Sequence, residues 1–231
     1  IKRWLHHHPT LDKDSNLSRK IKPGFRILFY GPPGTGKTLT ATLIGKEFKK
    51  PVYRIDLSQI VSKYIGETEK NLNKVFDRAQ NKDWILFFDE ADALFGKRTS
   101  VQSAHDKYAN QETAFLLQRI EDYPGLVILA SNFKSNIDQA FLRRFQALIH
   151  FPLPGTKERL QLWEQSLPNS IRFDKTELQL NKLAYNYEIS GAAIINIMQY
   201  TCLKALSRED KTLVHNDLVS GIRREIRKEQ G

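Results

Sequence analysis

The sequence predicts an α/β protein: a three-layer sandwich around a parallel five-stranded sheet, followed by a small all-α subdomain. From Phe25 to Phe151, short apolar runs alternate with segments of helical periodicity, which is the pattern of a parallel sheet covered by helices. Pro152-Leu153-Pro154-Gly155 ends this alternation, and only helical periodicity continues beyond it. We therefore expect an α/β subdomain over residues 1–153 and a helical subdomain over 154–231.

The predicted strands are apolar runs bounded by polar or turn residues. They cover residues 25–30, 51–55, 84–88, 126–130 and 147–151. The run from Trp84 to Phe88 is apolar throughout, which suits a strand buried on both faces of a parallel sheet. Residues 1–24 contain no clear strand and are predicted as a linker that includes part of a helix.

Helices are predicted where apolar residues recur three and four positions apart. Within the α/β subdomain the helix faces carry Leu39, Leu43, Ile44 and Phe48; Leu72, Val75, Phe76 and Ala79; and Ala114, Leu117 and Ile120. The polar stretch from Gly96 to Asp106 is predicted as a loop. The helical subdomain has one helix around Trp163, and others that start near Asp174, at Ser190 and after an Asn216 cap.

The loop after the first strand carries a phosphate-binding motif. It consists of Gly31, Pro32, Pro33, Gly34, Thr35, Gly36, Lys37 and Thr38, and Leu39 joins the predicted nucleotide contacts. Glycines let backbone N–H groups curl around phosphate oxygens, and the helix N-terminus adds a favourable dipole. Lys37 can reach the β- and γ-phosphates, while the Thr38 hydroxyl can ligate Mg²⁺.

Polar residues follow two later strands. Asp89 would hold Mg²⁺ through water, and Glu90 would orient or deprotonate the attacking water. Asn132 could hold the same water, although such a residue taken alone is more often part of a turn. Arg143 and Arg144 follow a short helical segment, from which an arginine could stabilise charge on a neighbour's γ-phosphate. The alternative for these arginines is a surface ion pair.

Composition narrows the function further. No apolar run is long enough to cross a membrane and no signal peptide is visible, so we expect a cytoplasmic protein without a membrane partner. The chain begins at Ile1 rather than Met, and we expect it to be a piece of something longer. Cys202 is the only cysteine, which excludes an intrachain disulfide. The net charge of +10 favours nucleic acid only modestly, because a nucleotide site also recruits cations.

From Pro23 onward the chain resembles the AAA clade of the AAA+ ATPases. The resemblance lies in the GPPGTGKT loop (31–38), the ILFFDEAD Walker B strand (85–92), the LASN sensor-1 strand (129–132), the second region of homology (138–144) and the Ser190-Gly191-Ala192 lid motif. It implies ATP and Mg²⁺ as cofactors, with Gly191 and Ala192 near the adenosine. Residues 110–122 and the Leu-Arg-Arg-Phe form are similar to stand-alone bacterial AAA ATPases.

The resemblance also implies a ring, usually a hexamer, with arginine fingers acting in trans. Lys63, Tyr64 and Ile65 are similar to the first pore loop, in which Tyr64 would grip an extended polypeptide; local packing of Tyr64 is the alternative. The family separates its two arginines by Pro-Gly, whereas Arg143 and Arg144 are adjacent, so either can be the finger. A truncated domain of this kind can also remain monomeric.

Our leading hypothesis is Mg-dependent ATP hydrolysis that drives protein remodelling, unfolding or disassembly. One alternative is a nucleic-acid-associated motor or loader, which the charge favours. Two residues argue against nucleic acid as a partner. Tyr64 is similar to a residue that grips polypeptide, and Ala192 stands where other AAA+ groups have a sensor-2 arginine. The other alternative is a nucleotide-switched assembly scaffold, which would not need Glu90 as a base.

Overall fold

The computed structural model describes residues 1–13, 24–57, 67–92, 114–132 and 139–230. The chain divides into two compact units. We call residues 1–31 and 37–151 the α/β unit, and residues 32–36 and 152–231 the helical unit. The predicted 96–106 loop and the predicted pore-loop residues Lys63, Tyr64 and Ile65 lie outside the described residues.

The α/β unit contains a parallel sheet of five strands. The strands are β1 (Phe25–Tyr30), β2 (Val52–Asp56), β3 (Ile85–Asp89), β4 (Leu126–Ser131) and β5 (Ala147–His150). Their order across the sheet is β2-β3-β4-β1-β5, and every pairing is parallel. The prediction of a parallel five-stranded α/β fold is confirmed, with each strand within one residue of its predicted bounds.

Helices cover both faces of this sheet. They are α1 (Lys2–Lys13), α2 (Lys37–Phe48), α3 (Glu67–Asn81), α4 (described over 114–122) and the short α5 (Gln139–Leu142). One face packs Ile27, Phe29 and Phe87 against α1 and α2. The other packs Leu28 and Phe88 against α3 and α4. Central strands are therefore buried on both sides, which explains their continuous apolar runs.

Two predicted helix faces need correction. Leu39 and Leu43 of α2 are 63% and 52% exposed, and the buried residues of this helix are Lys37, Ala41 and Gly45. A Cβ on Gly45 would lie 2.3 Å from Cγ2 of Val52, so α2 approaches the sheet too closely for a larger side chain. In α4, Ala114 is exposed and the buried residues are Leu116 and Ile120.

The helical unit packs around Trp163, which is fully buried. Its helices are α6 (Thr156–Ser166), α7 (Lys175–Leu178), α8 (Leu180–Asn186), α9 (Gly191–Leu206) and α10 (His215–Gln230). Asp174 and Ser190 cap α7 and α9 by accepting hydrogen bonds from the amides of Thr176 and Ala193. Within the described ranges, no helix combines the length and apolar character needed to cross a membrane.

Two boundaries in the helical unit differ from the prediction. The segment after Asp174 is split, because Gln179 adopts a left-handed conformation (φ 51°) between α7 and α8. The helix α10 begins at His215, so Asn216 lies inside its first turn and is not its cap. A ring nitrogen of His215, Nδ1, lies 2.7 Å from the carbonyl oxygen of Leu178, a tertiary contact that fixes the start of α10.

Candidate nucleotide-binding and hydrolysis site

The glycine-rich loop joins β1 to α2. Gly31, Gly34 and Gly36 all have positive φ angles of 144°, 73° and 94°. A Cβ on Gly31 would lie 2.1 Å from the carbonyl oxygen of Phe151, so this position requires glycine. The loop thus takes a compact conformation at the N-terminus of α2, as a phosphate-binding loop needs.

Lys37 links this loop to the neighbouring strand. Its Nζ donates to the carbonyl oxygen of Gly31 at 2.7 Å and to Oδ1 of Asn132 at 3.1 Å, and the residue is only 8% exposed. Burial lowers the pKa of Lys37, and the carboxylates of Asp89 and Asp92 oppose that shift. The carboxylates therefore favour the charged ammonium, which the binding of phosphate oxygens needs.

Thr38 and Asp89 supply a pair of oxygen ligands. The Thr38 hydroxyl donates to Oδ2 of Asp89 at 3.3 Å, across the space between α2 and the end of β3. Nη2 of Arg54, on β2, lies 2.8 Å from the same Oδ2. Among the described residues, no group of three or more His, Cys, Asp or Glu could hold a metal ion. A hydroxyl and one carboxylate fit Mg²⁺, which usually takes few protein ligands and completes its shell with water and substrate phosphates.

Glu90 follows directly after β3 and is exposed. Its φ of 53° is left-handed, which is uncommon for a residue with a side chain. The Glu90 amide donates to Oδ1 of Asp89 at 3.1 Å, and the next amide, of Ala91, donates to the carbonyl oxygen of Ala130 at 2.8 Å. The chain is thus held on both sides of Glu90, and the Glu90 side chain is exposed directly after Asp89.

Asp92 is a site residue that the sequence reasoning missed. Its Oδ1 accepts from the Ser131 hydroxyl at 2.5 Å, and its Oδ2 accepts from the Asn132 amide at 2.9 Å. The predicted residue Asn132 is therefore held at its backbone by Asp92 while its side chain accepts from Lys37. The sequence signal was available, because Asp92 is the last residue of the ILFFDEAD stretch.

Comparison with known proteins identifies the family. The model of the ATPase family associated with various cellular activities (AAA) matches residues 27–153. The chain belongs to the AAA family.

Three curated relatives illustrate this membership. The chain is 29% identical over 224 residues to 26S proteasome regulatory subunit 10B homolog A of Arabidopsis thaliana (94% of this chain, 56% of the relative). It is 34% identical over 174 residues to cell division protein C of Sulfolobus acidocaldarius (71% and 46%). It is 30% identical over 220 residues to the proteasome-activating nucleotidase of Aeropyrum pernix (91% and 53%). The chain spans about half the length of these relatives.

A solved structure shows the same fold. The crystal structure of the FIGL-1 AAA domain in complex with ADP matches with a TM-score of 0.71 at 23% identity. The match covers 95% of this chain and 76% of that chain. The likeness agrees with the AAA fold of the chain described above.

The two predicted arginines of this AAA chain differ in their surroundings. Both follow α5, and both are exposed. Arg144 forms an ion pair with Glu121, at the end of α4. Arg143 has no ion pair with any residue in the described part of the chain. Within the described residues, neither arginine forms a hydrogen bond or ion pair with Lys37 or Asp89.

The predicted lid residues lie beside the loop within the helical unit. The amide of Ala192, in the first turn of α9, donates to the carbonyl oxygen of Gly34 at 3.1 Å. A Cβ on Gly34 would lie 2.6 Å from the Ser190 hydroxyl, so the loop packs closely on this helix start. The structure thus brings Gly191 and Ala192 next to Pro32–Gly36. Leu39, the last predicted nucleotide contact, is exposed on α2 and available to a ligand.

Proposed function

We propose that this AAA chain hydrolyses ATP with Mg²⁺, and that a ring of its copies uses the reaction to remodel, unfold or disassemble polypeptides. One observation carries the proposal: Lys37 is held between the glycine loop and Asn132, directly beside the Thr38–Asp89 oxygen pair. A cation, a hydroxyl–carboxylate pair and a polar amide therefore lie together at one edge of the sheet, which supports roles for them in binding phosphate, Mg²⁺ and water. Family membership supports the same chemistry.

Each residue of the site has its own role in the proposed hydrolysis of ATP. Backbone amides of the 31–38 loop and the Lys37 ammonium bind the phosphates, and we assign Gly191 and Ala192, which lie beside Pro32–Gly36 in the helical unit, to the nucleoside. Thr38 and Asp89 would hold Mg²⁺, which when bound neutralises the charge that develops on the phosphate oxygens. Glu90 orients the attacking water and accepts its proton, and Asn132 holds that water in line with the γ-phosphate.

Assembly completes the site in this proposal. Arg143 is exposed and free of intrachain ion pairs among the described residues, so it can reach a γ-phosphate on a neighbouring copy. Arg144 is already paired with Glu121 and serves better to fix this turn. An arginine supplied in trans stabilises transition-state charge. The names of two relatives, a 26S proteasome regulatory subunit and a proteasome-activating nucleotidase, support action on proteins. The assignment of Tyr64 as the gripping residue rests on the sequence motif alone.

The test is the ATPase rate per subunit against protein concentration, with the mass of the assemblies measured in parallel. We expect the rate to rise as hexamers form. Arg143→Ala should lower it about a thousandfold without dissociating the ring, whereas Arg144→Ala, the matched control, should lower it far less. Full turnover by a proven monomer would contradict the trans arrangement. Binding of single-stranded DNA with a steep salt dependence would support the nucleic-acid alternative instead.

A further inference from the structure

Asp92 ties together the carboxyl ends of two adjacent strands. It lies three residues beyond the end of β3, and both of its carboxylate oxygens accept hydrogen bonds from the end of β4. The Ser131 hydroxyl donates to one at 2.5 Å, and the Asn132 amide donates to the other at 2.9 Å. Ser131 is 1% exposed, so this bridge is shielded from solvent on the β4 side. Asp92 is therefore built into the sheet edge and is not a solvated surface acid.

The backbone that leads to Asp92 is held in an unfavourable conformation. Glu90, with φ 53°, is in the left-handed region that residues with a Cβ rarely adopt. Beyond it, the Ala91 amide bonds to Ala130 at 2.8 Å and the Asp92 carboxylate bonds to Ser131 and Asn132. Such strain persists only when surrounding contacts over-determine it. The bonds from Ala91 and Asp92 to β4 provide that constraint.

The bridge continues into the phosphate-binding lysine. Asn132, whose backbone is held by Asp92, accepts through Oδ1 from the Lys37 ammonium at 3.1 Å. Lys37 in turn donates to Gly31 in the glycine loop at 2.7 Å. A continuous series of hydrogen bonds therefore runs from Asp92 through Asn132 and Lys37 to the loop.

We propose that Asp92 is a positioning residue for ATP hydrolysis: it fixes Asn132 and the turn at Glu90 in the relative geometry that the reaction requires. This inference rests on the proposed function. Asp92 acts through Asn132 and Glu90 without touching the nucleotide itself, so its loss should slow the chemical step more than it weakens binding. Misplacing reacting groups by about 1 Å costs on the order of a hundredfold in rate.

The first test compares kcat and the ATP dissociation constant of Asp92→Ala and Asp92→Asn. Asp92→Ala removes both bonds, and we expect kcat to fall about 10- to 100-fold with ATP affinity within about twofold. Asp92→Asn can keep both bonds, because its amide oxygen accepts from Asn132 and its NH₂ can donate to a rotated Ser131 hydroxyl. The kcat of this variant should be at least about one third of the wild-type value. Asp77→Ala, which removes an exposed acid of the same unit, is the control for folding.

A double-mutant cycle tests the route of action. If Asp92 acts through Asn132, adding Asp92→Ala to Asn132→Ala should lower kcat much less than it does in the wild type. An equal fall in both backgrounds would overturn the route through the Asn132 side chain and leave only the turn at Glu90. A wild-type kcat in a folded Asp92→Ala protein would overturn the proposal.

Amide hydrogen exchange tests the bridge without any turnover. The Ala91 and Asn132 amides should exchange at least about tenfold faster in Asp92→Ala than in the wild type, with no change in Asp77→Ala. If the wild-type chain proves unable to hydrolyse ATP, the proposed function fails and the positioning role falls with it, while exchange still reports whether the bridge exists. Unchanged exchange in Asp92→Ala would overturn the bridge even in an active enzyme.

Discussion

Two carboxylates, one in each unit, both pair with cations but differ in what surrounds them. Asp89 at the edge of the sheet contacts the Thr38 hydroxyl and the guanidinium of Arg54. Asp217 in α10 is buried and pairs with Lys204 at 3.3 Å and Arg208 at 2.7 Å. Asp89 thus contacts Thr38, the last residue of the glycine-rich motif, whereas Asp217 contacts only α9 and the segment after it among the described residues. A carboxylate among cations is therefore a functional candidate when a ligand-binding backbone adjoins it, and a structural ion pair when it does not.

The largest expected change is a loss of ATP turnover, caused by a substitution at the carboxyl edge of the sheet. Glu90→Gln should lower ATP turnover about 10²- to 10⁴-fold, because the amide cannot accept the proton from water. The Glu90 carboxylate has no ion pair among the described residues, so the melting temperature should stay unchanged. Steady-state ATPase assays and thermal denaturation check both parts. A large loss of stability would mean that Glu90 also supports the fold. It would contradict the distinction between a functional sheet edge and a structural core in the helical unit.

A substitution in the core of the helical unit should lower stability instead of turnover. Trp163→Ala removes a fully buried side chain and should lower the free energy of unfolding by about 3–5 kcal/mol. Denaturant titration followed by circular dichroism measures this loss. Trp163→Phe should lower it by about half as much or less, since it retains most of the apolar volume. An Ala variant as stable as the wild type would contradict the assignment of Trp163 to the core.

Of the two carboxylates compared, Asp217 is the one with a structural role, and its substitution tests that role. Asp217→Asn should reduce the free energy of unfolding by about 1–3 kcal/mol, because a buried oxygen loses its charge opposite two cations. Asp77→Asn, at an exposed ion pair, should cost less than about 1 kcal/mol. Both proteins should bind ATP normally at temperatures at which they are folded. Loss of ATP binding in folded Asp217→Asn would give this carboxylate a functional role.

The smallest effect is expected at Arg54. Its side chain is 61% exposed, and its guanidinium shares Oδ2 of Asp89 with Thr38, so it competes weakly with a cation for that oxygen. Arg54→Gln should tighten Mg²⁺ binding roughly fivefold, equivalent to about 1 kcal/mol. Titration of nucleotide binding with Mg²⁺ measures the shift. Arg54→Lys, which keeps the charge, should move the midpoint less; equal shifts in both variants would point to shape rather than charge.

Local pattern was enough to predict much of this molecule. The five strands, the loop at 31–38 and the polar residues after β3 and β4 follow from periodicity and spacing, because a buried strand must be apolar and a phosphate loop needs glycine. The resemblance supplied the AAA family, which the family match confirms. The pore-loop, arginine-finger and catalytic roles of individual residues remain predictions.

Contacts between distant residues were decided by the tertiary structure. Asp92 meets Asn132 across 40 positions and Lys37 meets Asn132 across 95, and no local pattern encodes such pairings. Periodicity assigned Leu39 and Leu43 to the buried face of α2, but the close approach of Gly45 to Val52 turned Ala41 inward instead. The sequence by itself determined which elements form and where their polar ends gather. Packing determined which side chains meet there, because the distance between elements depends on every residue at their interface.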